Sequence, residues 1–92
     1  MILFNQLKLL NKEGIKMHLP RIRELREDHD LIQKEVGNIL HLKQSHYARY
    51  ETGKRDFPAE YIVKLAMFYN VSTDYIFNLT DDPKPYKRNK KG

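Results

Sequence analysis

Residues 33–52, QKEVGNILHLKQSHYARYET, decide the fold of this chain. Apolar residues recur there at helical spacing in two sets: Val36, Ile39 and Leu40, then Tyr47 and Tyr50. This spacing predicts two short helices that meet at a tight corner over residues 41–43. Gly37 costs about 1 kcal/mol relative to alanine inside a helix, so it indicates that two backbones approach closely there. Leu42 is expected to lie buried between the two helices.

Four polar residues remain on the outer side of the second helix: Gln44, Ser45, His46 and Arg49. All four can donate or accept hydrogen bonds, and none is acidic, which suits base-pair edges and phosphates. Gln44 could pair with adenine through two hydrogen bonds, and Arg49 could contact a guanine or a phosphate. Ser45 and His46 would read the neighbouring base edges.

The sequence resembles the helix-turn-helix domains of the phage lambda repressor and Cro type, also called XRE-like, over about residues 19–82. Four stretches carry the resemblance: RIRELRED at 21–28, the helix pair itself, RYETGKRDFP at 49–58 and AMFYNVSTDYIFNLTD at 66–81. The resemblance implies an all-α fold, a compact five-helix domain of the lambda-repressor type. It also implies that residues 43–50 form a recognition helix in the major groove of DNA.

The same resemblance implies roles for residues outside the base-reading set. Phosphate contacts are expected from Gln33, Lys43, Thr52, Lys54 and Arg55. Arg26 should pair with Glu51, the acid that follows the recognition helix, and we call this partly buried ion pair the clamp. Two independently solvated charges are the alternative, and such a pair would contribute little to stability.

Three residues depart from the usual pattern of such domains. Ile32 and Lys43 stand where a Ser or Thr usually caps a helix, and each missing cap costs about 1 kcal/mol. His41 stands where the corner usually has glycine, but histidine is among the residues that tolerate a positive φ. Lys43 would strengthen a phosphate contact at the start of the recognition helix.

Composition allows one small domain without disulfides, because the chain has 92 residues and no cysteine. The apolar runs are short and broken by charge, so we expect no membrane span, no secretory signal and a cytoplasmic protein. The net charge is +5, but five of the 17 basic residues follow Pro83, and 12 basic and 12 acidic residues precede it. DNA attraction must therefore come from a local basic surface, formed by Lys43, Arg49, Lys54 and Arg55. Four acids are expected to face elsewhere: Glu24, Glu27, Asp28 and Asp30.

The chain divides into an N-terminal extension at residues 1–18, the helix-turn-helix domain at 19–82 and a basic, disordered tail at 83–92. Leu3, Leu7 and Leu10 share a helical face in the extension, which suggests a dimerising or partner-binding arm. A frayed extension is the alternative, and a natural start at Met17 is a third interpretation. Pro20 suits the first turn of a helix that leads into the motif.

Two helices are predicted after the motif. Pro58 opens the first, whose core residues recur at helical spacing and which ends at Asn70; they are Tyr61, Ile62, Leu65, Ala66 and Tyr69. Ser72 is an N-cap candidate for the second helix, TDYIFNLT at 73–80. Phe77 and Leu79 have little left to bury against, so they form either a homodimer seam or a partly exposed surface.

These patterns favour sequence-specific binding of double-stranded DNA by a bacterial or phage transcriptional regulator, in the first place a repressor. A homodimer on a palindromic operator is expected. The alternative is a protein-interaction module such as the antitoxin of a toxin–antitoxin pair, with a protein partner bound through Phe77, Leu79 or the N-terminal extension. The four histidines fall on different elements and no catalytic motif occurs, so the sequence predicts no enzyme, no metal site and no cofactor.

Overall fold

Five α-helices form the regular structure of residues 18–87, the part of the chain that the computed structural model describes. They are α1 (Pro20–Asp28), α2 (Gln33–Ile39), α3 (Gln44–Glu51), α4 (Ala59–Tyr69) and α5 (Thr73–Ile76). The all-α, five-helix prediction is confirmed. The predicted recognition helix is α3, which begins one residue later than expected because Lys43 has extended backbone angles and takes the N-cap position.

Each helix or its end contributes a fully buried side chain to a single core: Ile22, Val36, Leu40, Tyr47, Leu65 and Ile76. Burying one such side chain stabilises the fold by about 1.5–3 kcal/mol relative to leaving it exposed. The expectation for Leu42 is wrong in degree, because this residue is only partly buried and packs against the edge of the core.

The corner between α2 and α3 explains the glycine. A Cβ atom at Gly37 would lie 3.0 Å from the carbonyl oxygen of Leu42 and 3.5 Å from the Cβ of Tyr47. The amide of Leu42 donates to the Gly37 carbonyl at 2.8 Å, which closes the turn. His41 has φ of 59°, so the positive φ predicted for the corner is confirmed. The helices can pack this tightly because position 37 carries no side chain.

Helix ends follow the sequence signals in most places. Ile32 and Lys43 provide no side-chain cap, but Glu35 Oε1 accepts a hydrogen bond from the Ile32 amide at 2.9 Å, which satisfies one N–H group at the start of α2. Asn70 ends α4 with φ of 58°. Ser72 caps α5, because its Oγ accepts from the Tyr75 amide at 3.0 Å.

The last helix is shorter than predicted. It ends at Ile76 rather than Thr80, and Asn78 takes φ of 64°. A longer helix would direct the Leu79 amide to the Tyr75 carbonyl. The Asn78 amide donates to that carbonyl at 3.1 Å and the Leu79 amide donates to the Asp74 carbonyl at 2.9 Å, which is the Schellman pattern of a helix end. Arg21 Nη1 also donates to the Tyr75 carbonyl, at 3.0 Å. The helix therefore ends through local backbone hydrogen bonds around Asn78, and the α1 side chain adds a contact to the same carbonyl.

The part of the chain that follows Asp82 contacts the helical domain. Pro83 accepts a hydrogen bond from the Ser72 amide at 3.1 Å, and the Tyr86 hydroxyl donates to Asp74 Oδ2. Residues 83–87 of the predicted disordered tail thus lie along the start of α5. Residues 88–92 and the predicted N-terminal extension, except His18, lie outside the described residues.

Candidate nucleic-acid interface

The outer side of α3 presents all four side chains predicted to read bases. Gln44, Ser45, His46 and Arg49 are exposed. The opposite side of the helix is anchored in the molecule, because Tyr47 is fully buried and Glu51 is 4% exposed. The helix therefore stands on the surface with its polar side chains outward and its position fixed from beneath.

The buried carboxylate of Glu51 is the centre of that anchor. Arg26 donates to it twice, from Nε to Oε2 at 2.8 Å and from Nη2 to Oε1 at 2.9 Å. The structure thus brings the two clamp residues into a bidentate ion pair between α1 and α3. Two further donors reach the same carboxylate: the Tyr47 hydroxyl at 2.6 Å and Gln33 Nε2 at 3.2 Å. Arg26 also donates to the Leu31 carbonyl at 2.9 Å.

Burial and hydrogen bonding oppose each other at this carboxylate. Burial disfavours the charged form of Glu51, but the hydrogen bonds from Arg26, Tyr47 and Gln33 outweigh it and hold its pKa below the ordinary value. The hydrogen bond to Glu51 likewise raises the pKa of Arg26. Burial raises the pKa of Tyr47, with a further contribution from Glu51. The clamp therefore stays ionised while Tyr47 stays a neutral donor.

The Glu51 carboxylate also sets the direction of two amides. A carboxylate only accepts, so Gln33 must turn its NH₂ group toward Glu51 and its carbonyl oxygen away. That oxygen accepts from Gln44 Nε2 at 2.9 Å. Gln44 is left with one N–H and its own carbonyl oxygen for another partner. Sequence reasoning gave Gln33 a phosphate contact and missed this link, which depends on a contact between α2 and α3.

A second contact involves His46. Its Nε2 atom lies 3.2 Å from the Tyr50 hydroxyl oxygen, and the two rings stack with centroids 5.2 Å apart. Tyr50 in turn stacks on Phe57 at 5.2 Å and meets the edge of Tyr61 at 5.8 Å. Tyr50 was predicted only as an apolar packing residue, and its hydroxyl gives it a polar contact as well.

The five predicted phosphate contacts are divided between two surface depressions and the start of α3. Gln33 and Thr52 line one depression, Lys54 and Arg55 line another beside Arg49, and Lys43 lies exposed at the N-cap of α3. The Thr52 hydroxyl donates to the Ala48 carbonyl at 2.8 Å, so its proton is used within α3.

The two depressions differ in the number of acidic residues that line them. Glu24 and Glu27 line the depression that holds Gln33 and Thr52, although the acids were expected to face elsewhere. Arg23 partly offsets them, because its Nε lies 3.2 Å from Glu27 Oε2. The depression formed by Arg49, Lys54 and Arg55 has one acid on its lining, Asp56. The second depression is therefore the more favourable place for a phosphate.

Within residues 18–87, the exposed large apolar side chains are Ile32, Tyr86 and those of two further groups. Leu79 is 74% exposed and lies two residues from Phe77, which packs partly buried against the core. Phe77 also lines an open apolar pocket with Leu19, Phe57 and Ile62. A second exposed group on α4 was missed: Val63, Met67 and Phe68. The signal for it was available, because these are the apolar residues of that helix outside its predicted core face.

Two other kinds of site can be assessed on residues 18–87. The His, Asp and Glu side chains there form no group of three or more that could hold a metal ion. No helix in this range has the length and apolar character needed to cross a bilayer.

Comparison with known proteins gives consistent matches. A family model described as helix-turn-helix matches residues 22–76. The uncharacterized HTH-type transcriptional regulator YobD of Bacillus subtilis (strain 168) is 39% identical over 69 residues, which are 75% of this chain and 62% of the relative. The HTH-type transcriptional regulator ImmR of the same organism is 36% identical over 61% of this chain and 44% of its own length.

A third relative is the cryptic phage CTXphi transcriptional repressor RstR of Vibrio cholerae, 40% identical over 60% of this chain and 50% of its own length. The chain thus spans between 44% and 62% of the length of these curated relatives. No solved structure matches the chain with statistical significance. All three relatives are named as regulators or repressors of transcription and not as enzymes.

Proposed function

This chain belongs to the helix-turn-helix family of the lambda repressor and Cro type, and on that premise we propose that it binds double-stranded DNA sequence-specifically and regulates transcription. The observation that carries the proposal is the division of α3 into an anchored side and an exposed polar side. The major groove of B-DNA is wide enough to admit one α-helix. In this proposal α3 enters that groove, and Gln44, Ser45, His46 and Arg49 meet the base edges.

Gln44 has the chemistry of an adenine reader. Recognition of adenine requires one acceptor for N6–H and one donor for N7, and a glutamine amide supplies both. The hydrogen bond from Gln44 to Gln33 uses one N–H and leaves the carbonyl oxygen and the other N–H for the base. Gln33 is therefore proposed to position Gln44 rather than only to contact a phosphate.

Selection of duplexes from a random pool, followed by affinity measurements, tests this function. Gln44→Ala should weaken binding to the selected operator by about 5- to 150-fold, which corresponds to the discrimination of one good base pair, with little change on random DNA. Asn38→Ala is the matched control, because Asn38 is an exposed amide on the neighbouring helix. Equal loss on both DNAs would make Gln44 a backbone contact, and failure to select any sequence would refute specific binding.

Phosphate binding is proposed for Lys43, Lys54, Arg55 and, where it does not reach a base, Arg49. Substituting one such cation by alanine should lower affinity about equally on all sequences and reduce the slope of log K against log salt by about 1. Thr52 can accept from a donor in its present arrangement, but it must release its bond to Ala48 before it can donate to a phosphate. Its substitution by alanine should therefore have a smaller effect than that of Lys54.

A homodimer is proposed to present two copies of α3 to a palindromic operator. The support is the exposed Leu79, which lies two residues along the chain from Phe77. Phe77 lines a pocket with Leu19, Phe57 and Ile62, and a two-fold axis would let each copy place its leucine in the pocket of the other. The half-sites would then lie about one helical turn apart. The repressor role is extended to this chain from the printed name of the Vibrio cholerae relative.

Sedimentation of the full chain with and without operator tests the dimer. Leu79→Asp should shift the chain toward monomer and weaken operator binding, whereas Val63→Asp on α4 is the matched control and should not. A monomer that binds the operator with unchanged affinity would refute this seam. A stable complex of the chain with an unrelated protein, lost with Leu79→Asp, would instead support the interaction-module alternative.

A further inference from the structure

We infer that Tyr50 is a positioning residue for base reading: its hydroxyl holds neutral His46 in the Nδ1–H tautomer, so that His46 offers DNA a hydrogen-bond donor. The inference rests on the proposed function of α3 and deepens it, because it names the kind of base edge that His46 selects. The carrying observation is the contact between the Tyr50 hydroxyl and His46 Nε2.

The Tyr50 ring is held in place by its neighbours. It stacks on Phe57 with an angle of 28° between the ring planes and meets Tyr61 edge-on at 65°. The residue is partly buried, whereas His46 one turn earlier is exposed. The hydroxyl of Tyr50 is therefore the fixed partner, and the imidazole is the group that is oriented.

The contact determines which imidazole nitrogen carries the proton. A neutral imidazole has one N–H donor and one acceptor nitrogen. A phenol is a better donor than acceptor, so the hydroxyl 3.2 Å from Nε2 donates to that nitrogen. The proton then resides on Nδ1, since the hydrogen bond at one ring nitrogen sets the state of the other. His46 is left with a donor and no second acceptor.

A fixed donor discriminates among base edges. In the major groove, guanine O6 and N7, adenine N7 and thymine O4 accept hydrogen bonds, whereas the cytosine N4 amino group donates. A His46 held as a donor should therefore disfavour cytosine at the base that it contacts. Without the Tyr50 hydroxyl, either tautomer is available and the imidazole can accept from cytosine as well.

The tautomer can be measured without DNA. Long-range ¹H–¹⁵N NMR of the full chain at pH 8.5 distinguishes protonated from unprotonated ring nitrogens of His46. Wild type should show Nδ1–H, and Tyr50→Phe should shift the population toward Nε2–H, the form that free histidine prefers. Tyr61→Phe is the matched control, because it removes a hydroxyl from the ring next to Tyr50, and it should leave the tautomer unchanged. Nε2–H as the main wild-type form would overturn the inference, whether or not the variants fold.

The consequence for DNA is tested by duplex selection with four proteins: wild type, Tyr50→Phe, His46→Ala and the double variant. Wild type should disfavour cytosine at one position by about fivefold or more, and Tyr50→Phe should lose this preference. In the His46→Ala background, Tyr50→Phe should change no base preference further. Unchanged discrimination in Tyr50→Phe would overturn the inference. If no duplex is bound, the proposed function fails, while the NMR result still decides the tautomer.

Discussion

Removing one member of the clamp should destabilise the domain strongly. The substitution Arg26→Met keeps a good helix-forming residue in α1 and deletes three hydrogen bonds, two to Glu51 and one to the Leu31 carbonyl. Glu51 then remains buried, with its side chain 2% exposed, and its negative charge is no longer paired with the Arg26 guanidinium.

The expected cost follows from that burial. Breaking a buried ion pair by removing one partner costs about 3–5 kcal/mol. Tyr47 and Gln33 still donate to the carboxylate, so the lower end, about 3 kcal/mol, is expected here. A domain of this size has a total stability of roughly 4–10 kcal/mol. The melting temperature should therefore fall by roughly 12–24 °C.

Urea denaturation of wild type, Arg26→Met, Glu51→Leu and the double variant provides the measurement. The loss of stability in the double variant should be smaller than the sum of the two single losses by about 2 kcal/mol or more. The reason is that the double variant leaves no unpaired buried charge. Arg23→Met is the matched control on the same helix. Its pair with Glu27 has side chains 66% and 53% exposed, so it should cost less than about 0.5 kcal/mol.

A small effect would refute this reasoning. If Arg26→Met cost no more than Arg23→Met, the clamp would behave as two solvated charges, and the rigid placement of α3 would need another cause. A large single effect with no coupling in the double variant would show that packing of the Arg26 side chain, and not its charge, stabilises the fold.

Three further predictions concern stability. Gly37→Ala should lose about 1–2 kcal/mol in urea denaturation, because the new Cβ meets the Leu42 carbonyl oxygen at 3.0 Å and this outweighs the gain in helix propensity. Tyr47→Phe should cost about 1.5–3 kcal/mol through the lost bond to Glu51, whereas Tyr69→Phe should stabilise by about 1 kcal/mol, because the buried Tyr69 hydroxyl has no partner within residues 18–87. Because the pKa of Glu51 is lowered in the folded state, the unfolded chain binds the proton of this carboxyl more tightly. The free energy of unfolding should therefore fall as the pH drops below about 4.5, and Glu51→Gln should flatten this dependence.

Each of these has a clear contrary result. A Gly37→Ala protein as stable as wild type would mean that the corner can open without cost. Equal effects of Tyr47→Phe and Tyr69→Phe would remove the distinction between a bonded and an unbonded buried hydroxyl. An unchanged acid profile in Glu51→Gln would assign acid unfolding to other carboxylates.

The local part of the fold could be predicted from the sequence because short-range rules govern it. Apolar spacing located α2 and α3, Gly37 indicated their close approach, and Ser72 indicated the cap of α5. His41 has the expected positive φ for the same reason. Each of these features depends on residues no more than ten positions apart in the sequence.

Features set by residues far apart in the sequence were not predictable in the same way. Arg21 donates to the Tyr75 carbonyl at the end of α5 although it lies 54 residues earlier in the chain, and no local spacing indicates that contact. The residue types of α3 predicted its exposed polar side. The hydrogen bonds that Gln33 donates to Glu51 and accepts from Gln44 depend instead on how α2 packs against α3. Residue types thus indicate which side chains face outward, whereas tertiary packing decides how they are oriented.

The hydrogen bonds that run in one direction, from Gln44 to Gln33 and from Gln33 to Glu51, have a consequence for protein engineering. A glutamine at position 51 would nearly preserve the shape of the side chain, but its NH₂ group would meet one of the two Arg26 donors in either orientation. With the nitrogen beside Gln33, the Gln33 amide would have to turn its oxygen inward. Both amides above it could then flip together, and the outermost glutamine would offer its donor and acceptor in swapped positions. A library that varies only surface positions would overlook this means of altering operator choice, which lies beneath the surface at a residue that touches no nucleotide.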